Sequence, residues 1–127
     1  MLENPEKREK FDLMAFIGRN GKDIRQPEIE AAAKELKSQY KKVGAIGFCY
    51  GGWAVFRLGA KDKKLVDCVS TAHPSLLEKS EMENLAVPTQ IMAPETDQMF
   101  SPELKEFANN TIPGLGIEYQ YDYYPGV

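Results

Sequence analysis

Residues 47–51 of this chain, Gly47-Phe48-Cys49-Tyr50-Gly51, have the spacing of a nucleophile elbow, G-x-S-x-G, with cysteine in place of serine. In such a turn a strand reverses sharply into a helix, and the central residue is held strained at the tip. We predict that glycine is required at positions 47 and 51, because a Cβ atom there would clash where the chain folds back. Since the following helix presents its positive end, we expect the Cys49 thiol to ionise readily and interpret Cys49 as a nucleophile.

The competing interpretation is structural, because a free cysteine is often a small buried apolar residue and the pentapeptide can arise by chance. The flanking sequence decides between the two. An apolar run, Val43 to Phe48, precedes the motif, and a helix-compatible run, Trp53 to Leu58, follows it. This is the strand–turn–helix context that the motif requires, and it favours the nucleophile.

The elements that must position Cys49 are predicted from the spacing of apolar residues. Strands are predicted at 43–48, 66–72, 89–93 and 117–123, and helices after Pro27, from the elbow to about Leu58, and at 102–111. Strands that alternate with helices indicate an α/β protein with a parallel sheet. The run 43–48 is apolar on both alternating faces, which is typical of a strand inside a sheet.

The segment before these elements is predicted to be different in character. Residues 1–26 are read as a polar segment with one short helix from Phe11 to Ile17. Pro27 suits the first position of the next helix. That helix carries an apolar stripe with helical spacing, which consists of Ile29, Ala32, Ala33, Leu36 and Tyr40.

Polar side chains follow three of the predicted strands, where working groups gather in open α/β sheets. Cys49 follows the first strand, His73 follows the second, and Glu95 and Asp97 follow the third. A cysteine nucleophile needs a base, usually histidine, and that histidine needs an orienting carboxylate.

Composition excludes several classes of function. The chain has 127 residues and a formal net charge of −3, which argues against binding nucleic acid or an anionic membrane. No stretch is apolar enough to cross a bilayer, and the amino terminus lacks a signal core. The two cysteines form no disulfide framework, so we expect a reducing, cytoplasmic setting. With a single histidine and no Cys-x-x-Cys, neither a metal site nor a cofactor is predicted.

The chain resembles the dienelactone hydrolase family of the α/β-hydrolase superfamily. The resemblance rests on four segments, which are Gly47 to Gly52, Ala72-His73-Pro74-Ser75, Ala93-Pro94-Glu95-Thr96-Asp97 and Tyr124-Pro125-Gly126. An elbow with cysteine is fairly specific, because most relatives of this fold use serine. The resemblance covers the chain from about Pro27 onward. It implies that 27–127 is the carboxyl-terminal half of an α/β-hydrolase domain, with about four mostly parallel strands and flanking helices.

The family hydrolyses small-molecule esters or lactones with a Cys–Asp–His triad. The resemblance assigns Cys49 as the nucleophile, Asp97 as the triad acid and the Tyr50 amide as one oxyanion donor. In the family, a Tyr-Pro-Gly segment leads into His-Gly-Phe, which supplies the triad histidine. The sequence given ends at Val127, before such a histidine. In the family, several strands precede the helix that begins here near Pro27, and a loop of that missing part supplies the second oxyanion donor. We therefore expect impaired turnover.

Three further residues are candidates for the pocket. His73 is read as a structural or pocket-lining residue, with a substitute base as the sharper alternative. Trp53 is expected to pack the elbow helix on the sheet, with a place at the pocket border as the alternative. Glu95 lies in the loop that carries Asp97, here called the acid loop. It is expected either to form a hydrogen bond near this loop or to be solvated.

Two other classes of function remain open from the sequence. One is a remnant without catalysis that serves as a binding or interaction module. Because no strand is predicted beside 43–48, that strand forms an edge through which copies can self-associate. The other is a thiol redox protein that uses Cys49 and Cys68. Its weakness is that Cys68 is predicted to lie in the core, inside a strand.

Overall fold

The computed structural model describes residues 12–127. Its helices and strands alternate, as the apolar spacing predicts. They are α1 (Leu13–Arg19), α2 (Lys22–Gln39), β1 (Gly44–Phe48), α3 (Gly51–Leu58), β2 (Cys68–Ala72), α4 (Lys79–Glu83), β3 (Thr89–Pro94), α5 (Pro102–Thr111), a 3₁₀ turn (Ile112–Leu115) and β4 (Tyr119–Tyr124). Phe11, where the first predicted helix begins, lies outside the described residues.

The four strands form one parallel sheet in the order β1-β2-β3-β4. Phe48 lies opposite Ala72, and Ala72 lies opposite Met92, so the carboxyl ends of β1, β2 and β3 meet at one rim. This confirms the predicted α/β class, and it brings Cys49, His73 and the 94–97 segment to the same edge of the sheet.

The core lies between one face of the sheet and helices α3, α4 and α5. Fully buried side chains of this cluster come from all of these elements, and they include Phe56, Met82, Ile91, Phe100 and Ile112. Each such side chain contributes about 1.5–3 kcal/mol when it leaves water. The elements that carry the rim are therefore anchored by the core rather than by the loops.

The other face of the sheet carries the alternate side chains and is more open. Ile46 and Phe48 of β1 are both 59% exposed on it. Towards β4 the same face is polar, and Ser70 donates to Gln90, which donates to Asp122. Within residues 12–127, β1 and β4 are the two edge strands of the sheet, and the edge position of β1 agrees with the sequence prediction.

Helix α2 begins earlier than predicted. It starts at Lys22, so Pro27 is its sixth residue and not its first. The amino-terminal turn is anchored from elsewhere in the chain, because the Lys22 ammonium pairs with Glu78 and Glu81 at 3.1 and 3.0 Å. Pro27 fits the helical φ, but it removes one backbone hydrogen bond and its ring crowds the carbonyl four residues earlier, so other contacts must hold the helix together at this point. The division placed between residues 26 and 27 therefore falls inside a continuous helix.

The predicted apolar stripe of α2 is only partly buried. Ala33 is 5% exposed, and Ile29 packs against the core. Leu36 and Tyr40, which follow on the same stripe, are 45% and 59% exposed. Among the described elements α2 packs mainly on α3, so the second half of its stripe has no element to cover it.

Cys68 is not in the core, contrary to the prediction. It is the first residue of β2 and is exposed. The side chains of β2 alternate between faces, and Val69 and Thr71 are the ones buried against the helices. Cys68 therefore points to the open face.

Candidate active site

The elbow is built as the sequence predicts. Cys49 follows β1 directly, and α3 begins at Gly51, two residues later. The φ angle of Cys49 is +52°, in the left-handed region that non-glycine residues rarely adopt. Such a conformation persists only where the surroundings enforce it, and it is enriched at functional sites.

Three backbone hydrogen bonds enforce the turn. The Cys49 amide donates to the Ala72 carbonyl at 3.1 Å, which ties the elbow to the end of β2. The Cys49 carbonyl accepts from the amides of Gly52 and Ser75, at 3.0 and 2.8 Å. Both backbone groups of Cys49 are thus used, and its side chain is the part of the residue left for chemistry.

The glycines of the motif have unequal roles. A Cβ atom on Gly47 would lie 2.2 Å from the Gly51 carbonyl oxygen, so the start of the helix packs on bare backbone at Gly47. A Cβ atom on Gly52 would lie 2.4 Å from the Pro74 Cβ. A Cβ atom on Gly51 would meet nothing within 4 Å, so the predicted clash at Gly51 is wrong. Close approach at this elbow requires glycine at 47 and 52.

The Cys49 sulfur is exposed and has one polar side-chain neighbour among the described residues. Its Sγ lies 3.7 Å from the Ser75 Oγ. Ser75 is 6% exposed, and its own amide holds the Cys49 carbonyl, so the hydroxyl is fixed beside the sulfur. Sequence reasoning quoted Ser75 within a motif but gave it no role, because nothing local in the sequence shows that its hydroxyl reaches the sulfur.

Tyr50, the predicted oxyanion donor, follows Cys49 directly in the chain. It is the residue that precedes the first turn of α3, and its amide has no acceptor among residues 12–127. Its side chain is used elsewhere, because the phenol donates to the Asn20 carbonyl. The amide is therefore available beside the nucleophile, at the positive end of α3.

Asp97 lies in the loop after β3 and is held by one oxygen only. Its Oδ1 accepts from the amides of Met99 and Phe100, at 2.9 and 3.1 Å. This is the local turn that aspartate side chains favour. Its Oδ2 is buried and has no hydrogen-bond partner within residues 12–127. A buried carboxylate oxygen without a donor is costly, so such an atom in a native protein calls for an explanation.

One surface cavity joins the predicted site residues. Cys49, His73 and Asp97 line it together. Its other lining residues are Pro94, Thr96, Met99 and Val127. The cavity therefore brings the candidate nucleophile, the candidate acid and the single histidine of the sequence into one place.

His73 is the second strained residue at this rim. Its φ is +38°, and its amide donates to the Met92 carbonyl at 3.0 Å. The imidazole lies against the Phe48 ring, with centroids 6.5 Å apart, and no hydrogen bond joins it to another side chain within residues 12–127. The geometry makes His73 a lining residue and gives no sign of a base bound to Asp97.

Neither Glu95 nor Trp53 lines this cavity. The Glu95 carboxylate accepts from the Gly126 amide at 3.0 Å. Trp53 is fully buried, and the cationic groups of Lys22 and Arg57 lie over its ring at 5.8 and 5.1 Å from the centroid. Its Nε1 is a buried donor without a partner in the described part of the chain. Trp53 is thus a packing residue of α3 and does not border this cavity.

Cys68 lies at the opposite end of the sheet from Cys49. It pairs in register with Gly44, at the start of β1, whereas Cys49 follows Phe48 at the end. At about 3.3 Å per residue, the two cysteines are separated by roughly 15 Å along the strands. A disulfide requires Cα atoms within about 7 Å, so this geometry does not favour a redox pair.

Within residues 12–127, no group of three or more His, Cys, Asp or Glu side chains is arranged to hold a metal ion. In the same part of the chain, no helix is long and apolar enough to cross a membrane.

Comparison with protein families gives one clear match. The sequence model of the dienelactone hydrolase family matches residues 3–127. The match therefore begins well before Pro27, where the motifs placed the start of the resemblance. It includes α1 and the first turns of α2.

Curated relatives are fungal hydrolases. Hydrolase tropI of Talaromyces stipitatus is 35% identical over 103 residues, which cover 80% of this chain and 40% of the relative. Hydrolase pyvD of Aspergillus violaceofuscus is 25% identical over 119 residues, which cover 92% of this chain and 48% of the relative. The chain thus spans less than half the length of these two relatives.

Solved structures share the fold. A dienelactone hydrolase from Anabaena variabilis superposes with a TM-score of 0.67 at 18% identity, over 95% of this chain and 56% of that protein. The dienelactone hydrolase-like promiscuous phosphotriesterase P91 from metagenomic libraries gives a TM-score of 0.69 at 19% identity, over 91% of this chain and 49% of that protein. At these identities the likeness establishes an α/β-hydrolase fold.

Proposed function

Because the chain belongs to the dienelactone hydrolase family, we propose that it carries the nucleophile and the acid of an ester or lactone hydrolase site. The observation that carries the proposal is one cavity lined by Cys49, on a strained elbow, and by Asp97, whose buried Oδ2 has no donor within residues 12–127. A histidine N–H is the donor that such an oxygen receives in a nucleophile–histidine–acid triad.

In the proposed reaction the Cys49 thiolate attacks the carbonyl carbon of the substrate, and a carbon–sulfur bond forms. The negative charge moves to the carbonyl oxygen, where the Tyr50 amide and the positive end of α3 stabilise it. The carbon–oxygen bond to the alcohol then breaks, and the alcohol leaves with the proton that the base has taken from the Cys49 thiol. Water adds to the thioester, which releases the acid and restores the thiol.

The third member of the triad is the base. Within residues 12–127, no histidine donates a hydrogen bond to Asp97. The family resemblance assigns it to a histidine after Tyr124-Pro125-Gly126, whereas the histidine of this sequence is His73. We assign His73 to the wall of the cavity. We expect a base of the right shape, supplied from outside, to complete the site between Cys49 and Asp97.

The proposal is tested by adding imidazole to the chain with p-nitrophenyl acetate as substrate. Alone, the chain is expected to release about one equivalent of p-nitrophenol as Cys49 is acylated, and then to turn over slowly. Imidazole is expected to restore continuous turnover, because it is small enough to enter the cavity that Cys49 and Asp97 both line. Cys49→Ala is expected to lose both the burst and the restored turnover.

Asp97→Asn separates the acid from the nucleophile in the same assay. It is expected to keep the burst and to lose about tenfold or more of the imidazole-dependent rate, since orientation of the base depends on the carboxylate. His73→Ala is the matched control for the cavity wall, and it is expected to change the imidazole-dependent rate little. Imidazole alone hydrolyses this ester, so the rate measured with imidazole and without protein is subtracted first. The proposal would be refuted if the remaining imidazole-dependent rate were the same for Cys49→Ala and for the unaltered chain.

A second candidate is an interaction module, and the open edge of β1 favours it. The Val43 carbonyl and the Cys49 amide form hydrogen bonds on the β2 side of the strand. Backbone groups alternate along a strand, so the amides and carbonyls of residues 44, 46 and 48 point to the free edge. An apolar edge of this kind can pair with the edge of a second copy. Ile46→Pro removes an edge donor and is expected to lower the mass of any dimer seen by light scattering. An unchanged mass would exclude pairing through β1.

The setting we propose follows from chemistry rather than from the fold. Both described cysteines are free thiols, which favours a reducing compartment such as the cytoplasm. The net charge of −3 favours a small neutral substrate over a nucleic acid.

A further inference from the structure

The side chain of Tyr50 connects the elbow to the junction between α1 and α2. Its phenol donates a hydrogen bond to the backbone carbonyl of Asn20, which caps the carboxyl end of α1. Its ring meets the fully buried ring of Trp53 in a T-shaped contact, with centroids 5.5 Å apart. Aromatic pairs with this geometry are favourable beyond the area that they bury. Tyr50 is therefore held both at its hydroxyl and along its ring.

Asn20 is itself held in place, so the acceptor of this phenol is fixed. Its side-chain amide donates to the Phe16 carbonyl at 2.8 Å, and its Oδ1 accepts two hydrogen bonds from the Arg25 guanidinium. Arg25 also pairs with Glu28, one turn along α2, at 3.1 Å. A two-point contact from a guanidinium fixes direction as well as distance. Asn20 with its contacts to Phe16 and Arg25 is called the Asn20 clamp below.

The peptide unit between Cys49 and Tyr50 carries the amide that the proposed reaction uses. Its carbonyl end is fixed, because the Cys49 oxygen accepts from the amides of Gly52 and Ser75 at 3.0 and 2.8 Å. A trans peptide is planar, with N–H and C=O on opposite sides, so the Tyr50 N–H points away from those two amides. Two bonds to one oxygen still allow the plane to pivot about that oxygen. The Tyr50 side chain supplies a third point of support, at the nitrogen end.

We propose that Tyr50 is a positioning residue of the hydrolase site, and that its phenol, anchored on the Asn20 carbonyl, holds the 49–50 peptide in the orientation that stabilises the oxyanion. The inference rests on the proposed role of Cys49 and deepens it, because it gives the α1–α2 junction a task in the reaction. The amide acts on the substrate, whereas the phenol acts through the amide. Donors held in place before the reaction need no reorganisation when charge develops, so their support affects the rate.

Tyr50→Phe removes the phenolic hydroxyl and keeps the ring that packs on Trp53. Two reactions of Cys49 separate its effects, because acylation by p-nitrophenyl acetate develops an oxyanion and alkylation by iodoacetamide does not. Loss of a whole oxyanion donor costs about a hundredfold or more, and a donor that is kept but held less firmly costs less. We expect the burst of p-nitrophenol to slow about fivefold, while alkylation changes by less than about twofold. A side chain that only supports the fold of the elbow would slow both reactions together.

Tyr119→Phe is the matched control, since it also removes a phenol that donates a hydrogen bond. The Tyr119 hydroxyl donates to Asn109 at 2.9 Å, and Tyr119 lies on β4, at the opposite edge of the sheet from β1. This variant is expected to leave the ratio of the acylation rate to the alkylation rate unchanged. The inference would be overturned if Tyr50→Phe also left that ratio unchanged, or if both variants lowered it equally.

A second variant tests the Asn20 clamp without altering Tyr50. Asn20→Ala keeps the backbone carbonyl but loses the side-chain bonds to Phe16 and Arg25, so the acceptor of the phenol is held less firmly. We expect acylation to slow about twofold with alkylation unchanged, and we expect Asn20→Asp, which keeps an acceptor for Arg25, to restore most of the rate. Equal acylation rates in Asn20→Ala and the unaltered chain would overturn the role of the clamp.

Failure of this inference can be told apart from failure of the proposed function. If the unaltered chain is acylated at Cys49 and Tyr50→Phe is acylated at the same rate, the phenol has no positioning role and the hydrolase proposal stands. If Cys49 of the unaltered chain is not acylated, the proposed function is wrong, and the role of Tyr50 is overturned with it.

Discussion

The elbow after β1 and the acid loop after β3 lie on the same rim but hold their key side chains in different ways. At the elbow, both backbone groups of Cys49 are hydrogen-bonded, and glycines at 47 and 52 allow backbone and Pro74 to approach closely. In the acid loop, Asp97 is held through Oδ1, while Oδ2 is buried and unused among the described residues.

The difference lies in how fully the described elements support each of the two regions. The elbow depends on β1, β2 and α3, all of which are present, so its strained geometry is fully supported. Asp97 is held in position through Oδ1, whereas no residue within 12–127 donates to its Oδ2. We therefore expect substitutions at the elbow to cost folding stability and substitutions in the acid loop to cost chemistry.

The largest effect is expected from Gly47→Ala. The new Cβ would lie 2.2 Å from the Gly51 carbonyl oxygen, so the start of α3 must move. We expect a loss of about 3 kcal/mol in the free energy of unfolding, measured in urea. Gly51→Ala is the control within the same motif, and a change within about 0.5 kcal/mol is expected because its Cβ meets nothing. Similar losses in both variants would contradict the unequal roles of the glycines.

Asp97→Ala removes the acceptor of two amides in the acid loop. We expect a loss of about 1–2 kcal/mol in the free energy of unfolding, because the Met99 and Phe100 amides lose their partner. Asp97→Asn keeps an oxygen in that place and is expected to cost less than Asp97→Ala. If Asp97→Asn destabilised the fold as much as Asp97→Ala, Asp97 would be a structural charge and not a poised acid.

Ser75→Ala tests the polar neighbour of the sulfur. The hydroxyl lies 3.7 Å from Sγ, and hydrogen bonds to ionised acceptors are the stronger ones. We expect alkylation of Cys49 by iodoacetamide to slow about threefold, with less than about 1 kcal/mol lost in stability, because the amide of residue 75 still holds the Cys49 carbonyl. Ser70→Ala, on the open face, is the control, and an equal slowing in both variants would exclude a role for Ser75.

The smallest effect on stability is expected at the amino-terminal end of β1, far from the rim. The Lys37 ammonium and the Val43 amide hold the pKa of Asp67 below its usual range. The folded state thus favours the ionised form, so the stabilisation is present above the usual carboxyl pKa and is lost as pH falls through the folded pKa. Asp67→Asn is expected to destabilise slightly near neutral pH and not in acid. A stability difference that persists in acid would contradict this account.

The sequence predicted those features that depend on neighbouring residues. The elbow follows from glycine spacing after an apolar run, and the four strands follow from apolar residues between turns. The ends of β2 and β3 could be placed on the rim beside Cys49, because the carboxyl ends of parallel strands share one edge. The fold class and the lining residues Cys49, His73 and Asp97 could therefore be proposed without coordinates.

Features that depend on distant contacts could not be predicted in this way. Helix α2 starts at Lys22 because Glu78 and Glu81 hold that side chain from α4 and its cap. The need for glycine at 52 comes from Pro74, which is remote in sequence. The exposure of Cys68 depends on which face of the sheet the helices cover, and strand periodicity alone does not choose the face.

The central claim is that Cys49 is the nucleophile, and acylation of the two cysteines in competition tests it most directly. The chain is exposed briefly to a limiting amount of p-nitrophenyl acetate, and the acetyl group is located by peptide mass spectrometry. The account predicts that Cys49 carries nearly all of the label and that Cys68, which is also exposed but lies away from the elbow, carries little. Equal labelling of the two thiols, or preferential labelling of Cys68, would contradict it.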